Sequence, residues 1–297
     1  MLVGSVVLTL VVSSALAGGG NSANAKKCQK NGYLTLVRAN GSTFATEQEC
    51  TSYAAKGGVL YPSTAAPCLG TGYQTKATAN GDPFASIDAC VAYMNANPGK
   101  LVSCTVVGTS GNDTFPGGVV VCGFGGDDTW SGLDFVQGQT FYGGGGADTA
   151  DVPFVDGTFI GGDGNDSVTQ SVFGTYDGGA GDDSTVWVAT GGTFHGGAGN
   201  DSASEEMRGT FNGGAGNDSA RLVTGTFNGG AGNDFASEAA GVFNGGDGDD
   251  RLDLLIRDLS FPDPAMYDGG ADTDTLCGDD TGGFGVVTNV EITSCPI

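Results

Sequence analysis

Aspartate closes a glycine-rich loop at regular intervals along this chain, and these carboxylates are the side chains best placed to do chemistry. Six segments have the form Gly-Gly-x-Gly-(Asn/Asp)-Asp, the first at residues 161–166 and the last at residues 245–250. Their final residues are Asp166, Asp183, Asp201, Asp218, Asp234 and Asp250, at steps of 16 to 18 residues. A fixed period of this length predicts a solenoid in which each repeat forms one coil and stacking completes the core.

Four less regular loops extend the series in both directions. Their last residues are Asp113 in GTSGND, Asp128 in GFGGDD, Asp148 in GGGGAD and Asp274 in GGADTD. Ten carboxylates therefore recur between residues 113 and 274. The longest step, 24 residues, precedes Asp274 and predicts an insertion around residues 255–266.

Stacked coils would place an acidic side chain at the same corner of every coil, about 5 Å from the next one. Carbonyl and carboxylate oxygens from two neighbouring loops would then surround one point. Such an oxygen-only environment suits Ca²⁺, which takes about 6–8 oxygen ligands. No column of cysteine or histidine is present to hold a softer metal. We therefore expect several calcium ions bound by the ten aspartates, and folding linked to calcium because empty sites would leave like charges adjacent.

The residues around each loop predict the strands that would position it. An aromatic residue stands two positions before nearly every Gly-Gly pair, at Phe141, Phe159, Tyr176, Phe194, Phe211, Phe227, Phe243 and Tyr267. Because side chains alternate between the two faces of a strand, this column is expected to form the core. Its neighbours would then face solvent, at Thr140, Thr158, Thr175, Thr193, Thr210 and Thr226 on one side and Tyr142, Ile160, Asp177, His195, Asn212, Asn228 and Asn244 on the other. A second short strand follows each Asp, and a glycine returns the chain at Gly174, Gly192, Gly209, Gly225 and Gly241.

The predicted fold class is all-β, a parallel β-roll or β-helix solenoid over residues 102–297 with one-sided calcium loops. The loops resemble the RTX, or haemolysin-type calcium-binding, nonapeptide Gly-Gly-x-Gly-x-Asp-x-U-x over about residues 105–290. The resemblance implies a parallel β-roll that binds Ca²⁺ through the sixth-position aspartates and loop carbonyls. It applies directly to the six regular loops, whereas Asp148 and Asp274 lie in altered loops and Asp113 and Asp128 lack the paired first glycines. In the usual roll the motif recurs about every nine residues and on both edges, whereas here one corner carries it.

The charge of the chain is strongly partitioned. The net charge is −23, and most of the 34 acidic residues lie in the loop-bearing region. A surface this acidic repels nucleic acid phosphates and anionic membranes, and it attracts cations. We therefore expect calcium ions as partners and no nucleic acid partner.

The first residues predict export. Residues 2–17 form an apolar run that ends in Ala15-Leu16-Ala17, a cleavage site of the secretory type, so residues 1–17 are predicted to be a signal peptide and residues 18–27 a linker. The run is shorter than the roughly 20 residues that a membrane span needs. The expected location is extracellular, secreted or associated with the cell surface, without a membrane span after cleavage.

Eight cysteines, an even number, indicate disulfides in an oxidising compartment. Residues 28–61 and 68–101 form a tandem duplication, and each copy predicts a hairpin turning at Asn-Gly and a helix near its second cysteine. The predicted result is a small disulfide-stapled α+β tandem repeat, which resembles small cysteine-containing repeats of secreted bacterial proteins. It serves either as a compact N-terminal cap or as a paired binding module.

The cysteine spacings predict four disulfides. Cys28–Cys50 and Cys68–Cys90 each join two residues within one copy of the duplication, because units of this size need a covalent link. Cys104–Cys122 and Cys277–Cys295 are each 18 residues apart, which is one coil. Residues one coil apart lie within the Cα separation that a disulfide tolerates, so these two pairs are expected to protect the ends of the solenoid.

Catalytic signatures are absent from the sequence. It contains neither His-Glu-x-x-His nor Gly-x-Ser-x-Gly, and its one histidine, His195, has no nucleophile placed beside it. The candidates for a lyase-type cluster of acids and bases are Arg208, Arg221, Asp253, Arg257 and Asp258. We expect that the protein is not an enzyme.

The sequence therefore favours a secreted calcium-binding β-solenoid with a structural, cell-surface or adhesion role, and a surface glycan or cell-envelope component as a partner. The alternative is a module that binds a glycan or ice surface through the outward Thr/Asn face. Tyr142 and Asp177 interrupt that face, which ranks this alternative second.

Overall fold

A computed structural model describes residues 21–132, 135–256, 265–280 and 285–291. Contacts divide the chain into two compact units, a smaller N-terminal unit that ends at Ser103 and a larger one that begins at Cys104 and also includes residues 80–82. The predicted signal peptide lies outside the described residues. Among the residues that are described, no helix is long and apolar enough to cross a membrane.

The N-terminal unit is a small α+β fold. Its α-helices are Asn21–Lys27, Glu47–Ala55 and Ile87–Ala96, and its 3₁₀ helices are Gly32–Thr35, Ser63–Cys68 and Gly72–Thr75. Its strands are Leu36–Arg38, Leu60–Pro62, Lys76–Ala77 and Val102–Ser103. They pair as two short antiparallel ladders, Leu36–Arg38 with Leu60–Pro62 and Lys76–Ala77 with Val102–Ser103.

Local signals in the sequence explain where the two longer helices begin. Thr46 accepts a hydrogen bond from the backbone N–H of Glu49, and Ser86 accepts one from that of Ala89, which are N-cap contacts. In each copy the disulfide joins the helix to the segment before it. The structure forms the two predicted pairs, Cys28–Cys50 and Cys68–Cys90, each with a Cα–Cα distance of 5.7 Å.

The larger unit is a parallel β-solenoid of about ten turns. Its first sheet contains Val106–Val107, Val120–Cys122, Thr140–Gly145, Thr158–Asp163, Thr175–Ala180, Thr193–Ala198, Thr210–Ala215, Thr226–Ala231, Val242–Asp247, Met266–Ala271 and Val286–Thr288. Its second sheet contains Thr114–Phe115, Thr129–Trp130, Thr149–Ala150, Phe154–Val155, Ser167–Val172, Ser184–Val188, Ser202–Met207, Ser219–Val223, Phe235–Ala239, Arg251–Ile256, Thr275–Leu276 and Asp279–Asp280. Strands alternate between the sheets along the chain and pair in parallel with the equivalent strands of the coils before and after. The predicted fold class, a parallel β-solenoid preceded by a small disulfide-linked α+β region, is confirmed.

The aromatic column forms the core, as the alternation predicted. From Phe141 to Tyr267 each ring stacks on the next, with centroids 4.6 to 5.2 Å apart and interplanar angles of 10° or less. The second sheet presents small side chains to the interior, such as Ala203, Ala220 and Ala236, which are at most 2% exposed. The stacked rings of the first sheet thus pack with alanine and larger apolar side chains of the second sheet in one hydrophobic core.

The ends of the solenoid are only partly described. The predicted disulfide Cys104–Cys122 is present at the first coil, with a Cα–Cα distance of 5.8 Å. Cys277 lies in the last described coils, but its predicted partner Cys295 lies outside the described residues. Residues 257–264, the centre of the predicted insertion, also lie outside the described residues.

Candidate metal centre

Each loop runs from a strand of the first sheet to an aspartate that immediately precedes a strand of the second sheet. In one coil the strand Thr158–Asp163 contains the first two glycines of its loop, and Asp166 stands just before the strand Ser167–Val172. Nine of the ten predicted aspartates are buried, with at most 1% of their surface exposed, namely Asp128, Asp148, Asp166, Asp183, Asp201, Asp218, Asp234, Asp250 and Asp274. The solenoid therefore brings the predicted residues together as one buried column along a single corner.

One oxygen of each of these carboxylates bonds to the neighbouring coil. Oδ1 of Asp183 accepts a hydrogen bond of 2.7 Å from the backbone N–H of Asp166, and Oδ1 of Asp201 accepts one of 2.7 Å from Asp183. The same bond recurs at 2.7 to 2.9 Å in the other loops, from the pair Asp113–Asp128 to the pair Asp250–Asp274. This oxygen holds the coils in register.

These hydrogen bonds between successive coils form a ladder, which continues to a residue that the loop pattern does not reveal. Oε2 of Glu291 accepts a hydrogen bond of 2.9 Å from the backbone N–H of Asp274. Glu291 therefore takes the place of the next aspartate. Its position 17 residues after Asp274, one coil length, is the signal by which the sequence could have identified it.

The second oxygen of each buried carboxylate has no hydrogen-bond partner. In all nine loops Oδ2 is buried and unpartnered. It lies against the first glycine of its own loop, so that a Cβ added to Gly161 would overlap Oδ2 of Asp166 and lie 2.7 Å from the carbonyl oxygen of Gly178 in the next coil. Oxygens from two coils thus meet where the first glycine has no side chain. The unpartnered Oδ2 atoms and the carbonyl oxygens beside them are the candidate donors to a cation, and all of them are oxygen.

The other loop glycines allow the backbones of successive coils to approach. Gly179 and Gly181 have φ values of +114° and +131°, and a Cβ on either would overlap the carbonyl oxygen of the equivalent glycine in the preceding coil. Glycine adopts this positive φ without strain, and it has no Cβ that would overlap the carbonyl oxygen. The close stacking of the coils therefore explains glycine at the second and fourth loop positions. Glycine is required at the first position because the carboxylate of the same loop occupies the space where a side chain would lie.

A second ladder runs beside the first and in the opposite direction. At the fifth loop position, Oδ1 of Asn165 accepts from the backbone N–H of Asp182 at 2.9 Å, and Oδ1 of Asp182 accepts from that of Asn200 at 2.7 Å. The bond recurs in later coils up to Asp249, which accepts from Thr273 at 3.0 Å. Asn and Asp alternate freely at this position because only a side-chain carbonyl-type oxygen is needed.

The other groups at this corner limit which atoms could coordinate an ion. The third-position carbonyl is occupied by a bond between coils, as when Ala180 accepts from the N–H of Gly164 at 2.6 Å. Within the described ranges, no three His, Cys, Asp or Glu side chains form a group that could hold a metal. A cation at this corner would therefore use the Oδ2 atoms together with backbone carbonyls, rather than a cluster of side chains alone.

Burial makes the charged form of these carboxylates costly. It raises the pKa of Asp148, Asp166, Asp201, Asp234 and Asp250 to about 7, that of Asp128 and Asp218 to about 6, and that of Asp183 to about 8. The pKa of Asp274 is also raised by burial. The backbone N–H bonds act in the opposite direction but are outweighed. Near neutral pH the column carries a partial negative charge that a bound cation would stabilise.

Asp113 differs from the other nine predicted ligands. It is only half-buried, and its Oδ2 accepts hydrogen bonds from the backbone N–H of Thr109 at 2.6 Å and from the Thr109 hydroxyl at 2.9 Å. Its own loop therefore supplies the partners that the other loops leave out. The corresponding difference in the sequence is Thr109, whose hydroxyl stands where the regular loops have their second glycine.

Among the described residues, the candidates for an acid–base cluster, Arg208, Arg221 and Asp253, lie in separate ion pairs. Arg208, Arg221 and Arg251 form separate ion pairs with Glu206, Glu205 and Asp253. The exposed His195 lies in the outward column of the first sheet, where its Nδ1 is 3.1 Å from the amide nitrogen of Asn212. Arg257 and Asp258 lie outside the described residues.

No protein-family model matches this chain, and no curated protein or solved structure matches it either. The column of stacked aspartates on a parallel β-solenoid is consistent with a β-roll.

Proposed function

We propose that this protein is an extracellular calcium-binding β-solenoid of the RTX type with a structural, cell-surface or adhesion role. The observation that carries the proposal is the row of nine buried Oδ2 atoms without partners. Unpartnered buried charge is costly, and Ca²⁺ is the common cation that prefers an environment made only of oxygen.

The aspartates of neighbouring coils, such as Asp183 and Asp201, would hold each ion together with carbonyls of their loops. The bound ion would supply positive charge to a column whose carboxylates burial disfavours. Because the unfolded chain has no such column, calcium would bind the folded state preferentially and stabilise it. We propose calcium as a structural cofactor and assign no catalytic step to this chain.

The disulfides support the proposed location. Three disulfides, Cys28–Cys50, Cys68–Cys90 and Cys104–Cys122, favour an oxidising and therefore extracellular environment. Outside the cell, calcium is plentiful enough for weak sites to be filled, since extracellular modules bind it with dissociation constants of about 10⁻⁴–10⁻³ M. The acidic surface favours this ion over anionic partners.

The decisive experiment compares the protein with calcium and with chelator. Circular dichroism should show a higher melting temperature in calcium, and elemental analysis after dialysis should find several calcium ions per chain. Magnesium at the same concentration serves as the control, because it keeps its water ligands more readily. Equal melting in calcium and chelator, with no retained ion, would overturn the proposal.

The second candidate function is the binding of a glycan or ice surface by the outward face of the first sheet. Amide groups form a chain along this face, in which Asn244 donates to Asn228 at 2.7 Å and Asn228 donates to Asn212 at 2.8 Å. The regularity favours recognition of a repeating surface. However, the amides already satisfy one another, and Asp177 interrupts the row, so a structural role ranks first. Thr210→Tyr should abolish adsorption to ice or glycan without changing calcium-dependent melting if this candidate is right.

A further inference from the structure

A group of apolar side chains is exposed on the side of the solenoid away from the aspartate column. Phe154 is 51% exposed, Phe173 39% and Val136 49%. The rings of Phe154 and Phe173 lie edge to face with centroids 5.4 Å apart. Exposed aromatic residues grouped in this way mark a binding surface more often than single exposed residues do.

Phe154 forms one wall of a cleft whose opposite wall is Trp187. The two residues occupy the same column of the second sheet, since Phe154 pairs with Ser171 and Ser171 pairs with Trp187. They are therefore two strand spacings apart, about 10 Å. The buried Ser171 lies between them, and the polar side chains of Asp151 and Gln170 complete a cleft of about 420 Å³.

The walls of this cleft are held in position by neighbouring coils. The guanidinium carbon of Arg208 lies 5.4 Å from the centroid of the Trp187 ring, and Arg208 is itself paired with Glu206 at 2.8 Å. Arg208 belongs to the coil beyond Trp187, on the side away from Phe154. At the other wall, Asp151 accepts a hydrogen bond of 2.9 Å from the hydroxyl of Thr169. A site whose groups are already ordered loses less entropy when it binds a ligand.

A second cleft of about 410 Å³ adjoins the first on the far side of Phe154, and Phe135, Val136, Asp156 and Phe173 line it. The ring of Phe154 thus separates two adjacent clefts, each with aromatic walls and a carboxylate. Both volumes fall in the range of about 300–1,000 Å³ that is typical of small-molecule sites.

We infer that these paired clefts bind a neutral oligosaccharide, with sugar rings packed against Phe154 and Trp187. Sugar rings present C–H groups that pack on the electron-rich face of an aromatic ring, while their hydroxyls donate to carboxylate and amide oxygens such as those of Asp151 and Gln170. The net charge of −23 disfavours an acidic glycan or acidic peptide. The polar groups between the aromatic walls disfavour a lipid chain.

This site is independent of the proposed calcium function, because none of its residues belongs to the aspartate loops. The test uses the full chain in calcium and four probes, cellotetraose, xylotetraose, maltotetraose and mannotetraose. Trp187 reports binding through its fluorescence, since the other tryptophan, Trp130, is fully buried in the core and supplies a constant signal. At least one probe should give a saturable change, with the affinity confirmed by calorimetry.

Two variants and a matched control locate the site. In calorimetry, which does not depend on the Trp187 signal, Phe154→Ala and Trp187→Ala should each weaken binding by about tenfold or more, as expected for loss of an aromatic contact. Leu222→Ala removes an apolar side chain two coils further along the same column and should bind as the unchanged protein does. Each variant must retain its melting temperature in calcium within a few degrees, and Phe154→Leu replaces Phe154→Ala where it does not. Absence of binding by all four probes, or equal binding by the two cleft variants and Leu222→Ala, would refute the inference.

Discussion

Each buried aspartate divides two tasks between its two oxygens. Oδ1 accepts the backbone N–H of the preceding coil, a bond that an amide oxygen could accept equally well, whereas Oδ2 is buried without a partner. The fifth loop position shows what the first task alone requires, since Asn and Asp exchange there. The strict choice of Asp at the sixth position therefore points to the charge on Oδ2 and to a cation that binds it.

Replacing Asp183 by asparagine separates these tasks. Asp183→Asn keeps an oxygen that can accept the N–H of Asp166 but removes the negative charge. With calcium, we expect a lower melting temperature and fewer bound ions, because a ligand is lost. With chelator, we expect an equal or higher melting temperature, because a buried charge disappears.

The control for this substitution is the neighbouring residue. Asp182→Asn introduces the residue found at the equivalent position of the adjacent coils, Asn165 and Asn200, and preserves the ladder bond at 2.7 Å. It should leave melting and ion content unchanged. Equal behaviour of Asp182→Asn and Asp183→Asn in calcium would count against the metal site.

One loop offers a matched pair of glycine substitutions. A Cβ at Gly143 would overlap Oδ2 of Asp148 and lie 2.7 Å from the carbonyl of Gly161, whereas a Cβ at Gly145 would meet nothing within 4 Å. Gly143→Ala should destabilise the protein by about 1–3 kcal/mol, as overpacking does. Gly145→Ala should change stability by less than about 0.5 kcal/mol. Denaturant unfolding in calcium measures both, and similar losses would show that the first glycine has no special role.

The strands and the aromatic core could be predicted from the sequence. Side chains alternate between the two faces of a strand and the same residue types recur once per coil, so the Phe and Tyr residues all lie on one face. The contacts between coils were not predictable in the same way. The loop pattern does not reveal that Glu291 takes the place of an aspartate in the ladder, because the residue type changes there and only its spacing of one coil points to it. Nor does the pattern reveal that Thr109 satisfies Asp113, because that bond is local to an irregular loop. The exposed Phe154 and Phe173 also lie outside the repeat pattern, so periodicity did not select them.

The aromatic column is the element that carries the core, and truncating it tests the packing. The Phe211 ring lies 4.6 Å and 4.7 Å from the rings of Phe194 and Phe227. Phe211→Ala should therefore cost about 3–5 kcal/mol of unfolding free energy, by loss of burial and creation of a cavity. Thr210→Ala, on the outward face of the same strand, should cost less than about 0.5 kcal/mol. Urea unfolding in calcium compares the two, and a small loss for Phe211→Ala would contradict the stacked core.

At the scale of the whole molecule, the aspartate column makes stability depend on pH and, under the proposed function, on calcium. Its carboxyls have a pKa of about 6 to 8 in the folded chain, above the ordinary value of 3.8. Between these values the folded state binds more protons than the unfolded state, so the stability that these groups contribute is lost as pH rises. Under the proposed function, protons and calcium would compete for the same oxygens.

We expect the melting temperature in chelator and the extra stabilisation by calcium to depend on pH in opposite ways. In chelator, the melting temperature should rise as the pH falls from about 8 to about 5, because protonation relieves the buried charge. In calcium, the stabilisation over the chelated protein should shrink over the same range, because protons displace the ion from carboxylates that must be ionised to bind it. Circular dichroism melts at matched ionic strength measure both curves. Asp183→Asn should make each curve somewhat flatter, because one titrating carboxyl is removed, and Asp182→Asn should leave both curves unchanged. A chelated protein that loses stability on acidification would contradict this prediction, because it would show that these carboxylates are ionised in the folded chain without a cation.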